Sequence, residues 1–219
     1  FSTSETANAT AYTYNTFKNI RISECFLLID YIFLDDEERI KFYNAEHEYL
    51  IEQLIYVGAT TLEGVNRNVR TGLINPCKLM VWTAQFNYLI DTNINDIFNY
   101  TDSYIYNSSQ QQIGNGVIIN STILLNGRSR MSTQDEIYYN CVQPMQYFRR
   151  APSRGINIYS FGLMPDQIQP SGACNMSKID NIQINLKLSS QVSMDNTVIF
   201  KCYGLTSNVF RIVSGIGGI

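Results

Sequence analysis

The stretch Ile182-Gln183-Ile184-Asn185-Leu186-Lys187-Leu188 alternates strictly between apolar and polar side chains. Successive side chains of a β-strand point to opposite faces, so this pattern predicts a strand with one buried face and one face in water. Such strands are typical of antiparallel sheets that pack one face on a core. The stretch therefore predicts an antiparallel β-protein, and the rest of the chain agrees with it.

Six further segments have the apolar, β-branched and aromatic composition of strands. They lie at 49–57, 79–86, 117–125, 156–163 and 198–205, with a longer apolar stretch at 20–34. Asn126-Gly127 is a strong turn dipeptide and ends the strand at 117–125. No strand–helix–strand alternation is present, so the pattern predicts a sandwich of two sheets. The predicted fold class is all-β, an eight-stranded jelly-roll sandwich with short helices in its connections.

The stretch at 20–34 differs from the other predicted strands because it becomes apolar on both faces from Cys25 to Leu34. A strand that is buried on both sides has a second layer against its outer face. The sequence therefore predicts that this strand faces another layer or a neighbouring domain.

Helical signals are few and short. Asp35-Asp36-Glu37-Glu38 forms an acidic first turn, which predicts a helix that Asp35 caps and that runs to Ala45. Ser132-Thr133-Gln134-Asp135-Glu136 predicts a second helix that runs to Cys141. The range 91–106 is rich in Asn and Asp, so it is interpreted as a loop or a short helix.

The composition is that of one globular domain. The 219 residues are 45% hydrophobic and 16% charged, and no linker or repeat divides them. We expect a jelly-roll domain at residues 18–219, preceded by a linker or connecting segment at residues 1–17. Because the chain starts at Phe1, it is interpreted as a fragment or a processed piece of a longer protein.

The charge distribution argues against nucleic acid as a partner. The net charge is −3, with 16 Lys and Arg against 19 Asp and Glu. The densest cationic group is Arg149, Arg150 and Arg154, and no basic stripe that would neutralise phosphates is visible. No apolar run approaches the length of a spanning helix, so no membrane-spanning segment is predicted.

The cysteine pattern predicts reduced and mostly buried thiols in a protein that folds in a reducing compartment, with disulfides as the alternative. The cysteines are five in number, widely spaced and without a CxxC pair: Cys25, Cys77, Cys141, Cys174 and Cys202. This pattern gives no support to a zinc or redox site. Glycosylation sequons matter only in a secreted protein, and they lie at Asn8, Asn99, Asn107, Asn120 and Asn175.

The chain carries little of the chemistry that a catalytic or metal site needs. His47 is its single histidine, although a jelly-roll metal site usually needs several imidazoles. No GxSxG elbow, calcium loop or phosphate-binding glycine loop is present. The sequence does not exclude a pair of carboxylates that cleaves glycosidic bonds. We predict no enzyme, no catalytic, cofactor-binding or metal-binding residue and no cofactor, and we interpret His47 as a hydrogen-bonded side chain at a helix-to-strand corner.

The aromatic residues leave two interpretations open. The chain has 15 Tyr and 11 Phe, and Tyr138, Tyr139, Tyr147 and Phe148 are candidates for stacking on a sugar. Tyr is equally common at protein interfaces, where its ring is buried and its hydroxyl stays paired. The low charge favours protein contact, and a carbohydrate-binding jelly-roll module is the alternative.

An ordered series of short segments extends over residues 18–217. It consists of Ile22-Ser23-Glu24, the range 28–35, Glu37-Glu38-Arg39, the range 47–53, Asn75-Pro76-Cys77-Lys78-Leu79 with Val81-Trp82, Leu125-Asn126-Gly127-Arg128, Val142-Gln143-Pro144, the range 155–161 and the range 169–175. In this order the segments resemble the C-terminal half of the major capsid protein of nucleocytoplasmic large DNA viruses. Two departures exist: the family often has His where Asn75 stands, and the range 145–150 differs from its relatives.

The resemblance implies the second roll of a double jelly-roll subunit. It also implies a homotrimer, a capsomer with a pseudo-hexameric outline that contacts neighbouring capsomers and minor capsid proteins, and an icosahedral shell. The resemblance further implies that the protein is located in the virion, which would be assembled in the host cytoplasm. In this interpretation the two-sided apolar strand at 25–34 faces the neighbouring roll.

Overall fold

The structure is a computed structural model that describes residues 22–91, 94, 96–103, 105 and 114–219. The predicted linker at 1–17 and the first residues of the predicted domain lie outside the described residues. The chain divides into two units, residues 1–42 and residues 43–219.

The first unit contains the predicted strand at 20–34, and that prediction is wrong. Residues 20 and 21 lie outside the described residues, and residues 22–34 form no strand. A strand needs a neighbour that accepts its main-chain hydrogen bonds, and no described residue pairs with this stretch. Its apolar side chains are exposed, Phe26 by 75% and Ile32 by 89%.

Helix α1, Asp36–Asn44, follows this stretch and confirms the predicted first helix. The carbonyl oxygen of Asp35 accepts a hydrogen bond from the Arg39 N–H at 2.9 Å, which places Asp35 at the predicted cap position. None of the helix residues is buried. The helix crosses the boundary between the two units.

The described residues of the second unit form eleven strands in two antiparallel sheets. The strands are β1 (His47–Leu62), β2 (Asn66–Thr71), β3 (Pro76–Phe86), β4 (Ile118–Leu125), β5 (Arg128–Ser129), β6 (Gln134–Asp135), β7 (Ile156–Ser160), β8 (Cys174–Asn175), β9 (Ile182–Leu188), β10 (Val198–Val213) and β11 (Ile216–Gly218). The connections contain α2 (Asn87–Ile90), a π-helical turn (Tyr138–Val142), α3 (Gln143–Tyr147) and a 3-10 turn (Met176–Lys178).

The strand order is that of a jelly roll. The first sheet runs β1-β10-β3-β7 and the second runs β2-β9-β4-β5, while the short strands β6, β8 and β11 pair alongside them. Counted along the chain, the eight main strands pair first with eighth, second with seventh, third with sixth and fourth with fifth. A long antiparallel hairpin that is rolled into two sheets has this pairing. The predicted all-β jelly-roll sandwich is therefore confirmed.

The core lies between the two sheets, and β9, the strictly alternating stretch Ile182–Leu188, forms one of its walls. In β9 the side chains of Ile182, Ile184, Leu186 and Leu188 are buried, and the residues between them are more exposed. Trp82 of β3 is fully buried opposite this wall. The period-two pattern thus corresponds to the inner face of the sandwich, as predicted.

Two connections differ in their agreement with the sequence. Asn126 and Gly127 both have positive φ, 51° and 77°, and join β4 to β5 as a tight turn, as predicted. The predicted helix from Ser132 to Cys141 starts too early, because β6 occupies part of it. The carboxylate of Asp135 accepts the Tyr138 N–H at 2.9 Å, so Asp135 begins the helical segment.

The range 91–106 is a loop in its described part, organised around one buried side chain. Asn99 is fully buried, and its amide donates to the Asp96 carboxylate and to the Ser103 carbonyl oxygen, both at 2.8 Å. Its side-chain oxygen accepts the Thr101 N–H at 2.9 Å and the Thr101 hydroxyl at 2.7 Å. All four hydrogen-bonding positions of the amide are therefore occupied.

Candidate assembly surface

The described residues offer little for a chemical site. No group of three or more His, Cys, Asp and Glu side chains in this part of the chain is arranged to hold a metal ion. His47 is the first residue of β1, at the predicted helix-to-strand corner, and its ring stacks on that of Tyr49 with centroids 6.3 Å apart. The described helices include none that is long and apolar enough to cross a membrane.

All five cysteines are free thiols, but fewer are buried than the sequence predicted. Cys77 and Cys202 are buried, Cys174 is half-buried, and Cys25 and Cys141 are exposed. Burial raises the pKa of the Cys77 thiol to about 12 and that of the Cys202 thiol to about 12. These two thiols stay protonated at neutral pH and act as small apolar side chains.

The aromatic residues that were candidates for sugar stacking do not form an exposed platform. Tyr139 is fully buried and meets Trp82 edge to face, with ring centroids 4.9 Å apart. Tyr138 packs against the same core, and Tyr147 and Phe148 are half-buried. The π-helical turn points Tyr139 into the sandwich. Of the four candidate stacking residues, Tyr139 therefore belongs to the core, Tyr138 packs against it, and the other two are half-buried.

An apolar surface lies instead on the outside of the first sheet. Ile55 and Val57 of β1 pack against the core, so the alternating residues Leu54 and Tyr56 point to the opposite face. We call this face, on strands β1, β10, β3 and β7, the apolar outer face. Cross-strand neighbours on it form three rows: Tyr56, Tyr203, Val81 and Ile158; Leu54, Leu205 and Leu79; and Leu50 and Val209.

On β1 the exposure of these side chains is high for an apolar group, whereas their neighbours on β10, β3 and β7 are half-buried, apart from Val209, which is 37% exposed. Leu54 is 67% exposed, Leu50 51% and Tyr56 49%. Single exposed apolar residues are common on protein surfaces, but contiguous rows across a sheet mark a contact with another protein layer. This face was not predicted from the sequence, although both alternating sets of 50–57 are mostly apolar, the same signal that predicted a second layer against 25–34.

Two ion pairs interrupt or border the apolar outer face. Glu48 and Arg211 pair at 2.8 Å, and both side chains are more than half exposed, so this pair adds little stability. Lys78 differs, because only 2% of its side chain is exposed. Its ammonium contacts the carboxylate of Glu52 and donates to the carbonyl oxygen of Gln167 at 2.6 Å. Glu52 lies between Leu50 and Leu54 on the same face of β1.

Comparison with known proteins identifies the family. The profile of the family described as large eukaryotic DNA virus major capsid protein matches residues 38–218. The chain is 35% identical over 203 residues to probable capsid protein 4 of Acanthamoeba polyphaga mimivirus, which covers 92% of this chain and 40% of that protein. It is 31% identical over 270 residues to the major capsid protein of Phaeocystis pouchetii virus, which covers 88% of this chain and 52% of that protein.

The chain thus spans about half the length of these relatives, which are structural proteins and not enzymes. Among solved structures, the PBCV-1 virus capsid aligns with a TM-score of 0.65 at 29% identity, covering 86% of this chain and 55% of that chain. The Faustovirus major capsid protein aligns with a TM-score of 0.65 at 15% identity, covering 79% of this chain and 35% of that chain, a likeness of fold alone. The chain belongs to the major capsid protein family of large eukaryotic DNA viruses.

Proposed function

We propose that this virion capsid protein forms homotrimers whose pseudo-hexameric capsomers tile an icosahedral shell. The observation that carries the proposal is the apolar outer face, on which three rows of apolar side chains start at Leu50, Leu54 and Tyr56, each about half exposed or more. Covering these rows with a protein layer removes apolar area from water, and each Å² that is buried stabilises the contact by roughly 25 cal/mol. Tyr56 and Tyr203 are of a residue type enriched at such interfaces.

We further propose that residues 18–219 are the second roll of a double jelly-roll subunit and that 1–17 connect the two rolls. The share of the relatives that the chain covers, 40% and 52%, supports this proposal because it leaves room for a second domain of similar size. The exposed apolar residues at 26–34 are consistent with a contact to that roll.

Two further parts of the proposal concern partners and place of assembly. Free thiols at all five cysteines agree with assembly in the reducing host cytoplasm. Minor capsid proteins and neighbouring capsomers are the expected partners, since a closed shell needs contacts beyond the trimer.

The experiment compares two charge substitutions in the full-length protein by sedimentation velocity. Leu54→Asp places a carboxylate in the apolar outer face, whereas the matched control Ile119→Asp places it on the second sheet, where Ile119 is 43% exposed. We expect trimers for the wild type and the control, and monomers for Leu54→Asp, because a buried unpaired charge is strongly unfavourable in an interface. A strictly monomeric wild type rules out the proposed trimer, and trimers of Leu54→Asp rule out this face as the contact.

A further inference from the structure

Two of the free thiols lie directly opposite each other in the first sheet. Cys174 of β8 pairs with Cys77 of β3 in the antiparallel register. Side chains at directly opposite positions point to the same face of a sheet. Here that face is the core, because Cys77 is fully buried and Cys174 packs against the core. The α-carbons of such a pair are about 4.5–5.5 Å apart, which is a separation that a disulfide bridges.

Cys202 is the other buried thiol, but the register places it too far from Cys77 for a bridge. Cys77 lies opposite Thr206, whereas Cys202 lies opposite Trp82. The stretch of β10 from Cys202 to Thr206 is roughly 13 Å long, since a strand rises about 3.3 Å for each residue. Of these two neighbours in the register, Cys174 is therefore the one within bridging distance of Cys77.

Cys174 is the thiol of the pair that an oxidant reaches first. It is half-buried, whereas Cys77 is enclosed by the core. Burial raises the pKa of Cys174, and the positive charge of Arg130 acts against this rise because it favours the thiolate. Cys77 needs no contact with solvent, because its reaction partner is the sulfur atom opposite it in the sheet.

β8 is a short strand at the end of a long irregular connection. It has two residues and begins with Cys174. Its partners on β3 are Pro76 and Cys77, and Pro76 has no N–H group to donate to the pairing. Residues 162–173, which precede β8, contain no helix or strand. A bond between the two thiols closes a loop over residues 78–173, and closing a long loop restricts the unfolded chain, so we expect the bond to stabilise the fold.

We propose that Cys77 and Cys174 form an oxidation site, at which hydrogen peroxide produces an intrachain disulfide once the protein leaves a reducing compartment. The Cys174 sulfur attacks the peroxide, the O–O bond breaks, and the products are a sulfenic acid on Cys174 and one water. The Cys77 thiol, which donates to the Leu79 carbonyl oxygen at 3.1 Å, then attacks the Cys174 sulfur. The S–S bond forms, the S–O bond breaks, and the hydroxide leaves with the Cys77 proton as a second water. Two electrons thus pass from the two sulfur atoms to one peroxide.

The test uses full-length protein in which Cys25→Ser and Cys141→Ser remove the exposed thiols. The protein is treated with hydrogen peroxide, its remaining thiols are blocked, and it is digested without reductant. We expect mass spectrometry to find peptides linked through Cys77 and Cys174 in most molecules. We expect the thermal midpoint to rise by about 5 °C or more and to return with dithiothreitol. Cys174→Ser should remove the link and the rise, whereas the matched control Cys202→Ser should keep both.

Three results overturn the inference. They are the absence of the link at a peroxide dose that oxidises Cys25 and Cys141 in the unsubstituted protein, a link from Cys77 to Cys202 instead, and a link that forms only in urea. If Cys174→Ser does not fold, the linked peptides of the parent protein decide alone. The bond lies within one chain, so a monomeric wild type contradicts the proposed function and leaves this inference intact.

Discussion

Tyr56 of β1 and Tyr203 of β10 stack on each other on the outside of the first sheet, with ring centroids 4.9 Å apart and ring planes inclined by 23°. The two residues lie directly opposite each other in the strand register, and Val81 and Ile158 continue the same row across the sheet. A stacked pair of this kind stabilises the sheet and presents a flat apolar surface to a partner. We therefore expect the pair to contribute both to the stability of the fold and to the proposed assembly.

Tyr203→Ala separates these two contributions. We expect the free energy of unfolding of the subunit to fall by about 1–2 kcal/mol, because the stacking with Tyr56 is lost. We expect the dissociation constant of the proposed trimer to rise at least about tenfold, because aromatic residues contribute a large share of the binding energy of protein interfaces. Urea unfolding and sedimentation velocity give the two values. An unchanged dissociation constant in a folded variant would show that this pair serves the fold alone.

Substitutions of Tyr139 test how much the packing of the core contributes to stability. Tyr139→Ala removes a fully buried ring that contacts Trp82, so we expect a loss of about 3–5 kcal/mol in the free energy of unfolding. Tyr139→Phe is the matched control: its hydroxyl contact with the Ser121 carbonyl oxygen is long, at 3.4 Å, so we expect a loss of about 1 kcal/mol or less. Equal losses for the two variants in urea unfolding would contradict the central place of the ring.

The thiols are expected to differ in reactivity. At pH 7.5 a maleimide should label the exposed Cys25 and Cys141 rapidly, while Cys77 and Cys202 should react only after unfolding in urea. Peptide mass spectrometry identifies the labelled positions. Rapid labelling of Cys77 in the folded protein would contradict its burial.

The same thiols predict a pH dependence of stability. Burial raises the pKa of Cys77 and of Cys202 from 9.0 to about 12 in the folded protein. A raised pKa means that the folded state holds the proton more tightly, so this stabilisation is complete below pH 9 and decreases between about pH 9 and pH 12. Urea unfolding at pH 8 and pH 10.5 measures the loss. Cys202→Ala should show a smaller loss than the wild type, and the exposed-site control Cys25→Ser should show the same loss as the wild type.

Asn99 is expected to tolerate little change. Asn99→Asp removes two donors and places a second carboxylate beside Asp96, so we expect a loss of about 2–3 kcal/mol in the free energy of unfolding. The control Asn66→Asp changes an exposed residue of β2 and should cost less than about 0.5 kcal/mol. Although Asn99 begins a sequon, its full burial also predicts that peptide mass spectrometry finds no glycan on it. A glycan there would contradict the structure of this loop.

The sequence predicted the fold where one face of a strand is buried and the other is wet. β9 follows this rule residue by residue, and its alternation alone identified the inner wall. β2 was missed because Val69 and Thr71 are its only buried residues, so its sequence has no apolar period to detect. Pairing with β9 determines that this stretch is a strand, and pairing over a distance of more than a hundred residues leaves no local signal.

The apolar outer face could not be predicted, because its sequence pattern is compatible with more than one structure. Both 25–34 and 50–57 are mostly apolar on two faces, and the sequence alone does not distinguish a strand that packs on its own domain from a segment that does not. In the structure 50–57 belong to β1, with Ile55 and Val57 inside and Leu54 and Tyr56 outside, whereas 25–34 form no strand. Only the register of β1 with β10 assigns each set to its face.

The most direct test of the central claim is hydroxyl-radical footprinting of Tyr56 and Tyr203 in intact particles and in dissociated subunits. The account predicts strong oxidation of both rings in free subunits and at least severalfold protection in particles, with no change for Tyr139, which is buried in both states. Equal oxidation of Tyr56 and Tyr203 in particles and in free subunits would contradict the claim that the apolar outer face is covered in the shell.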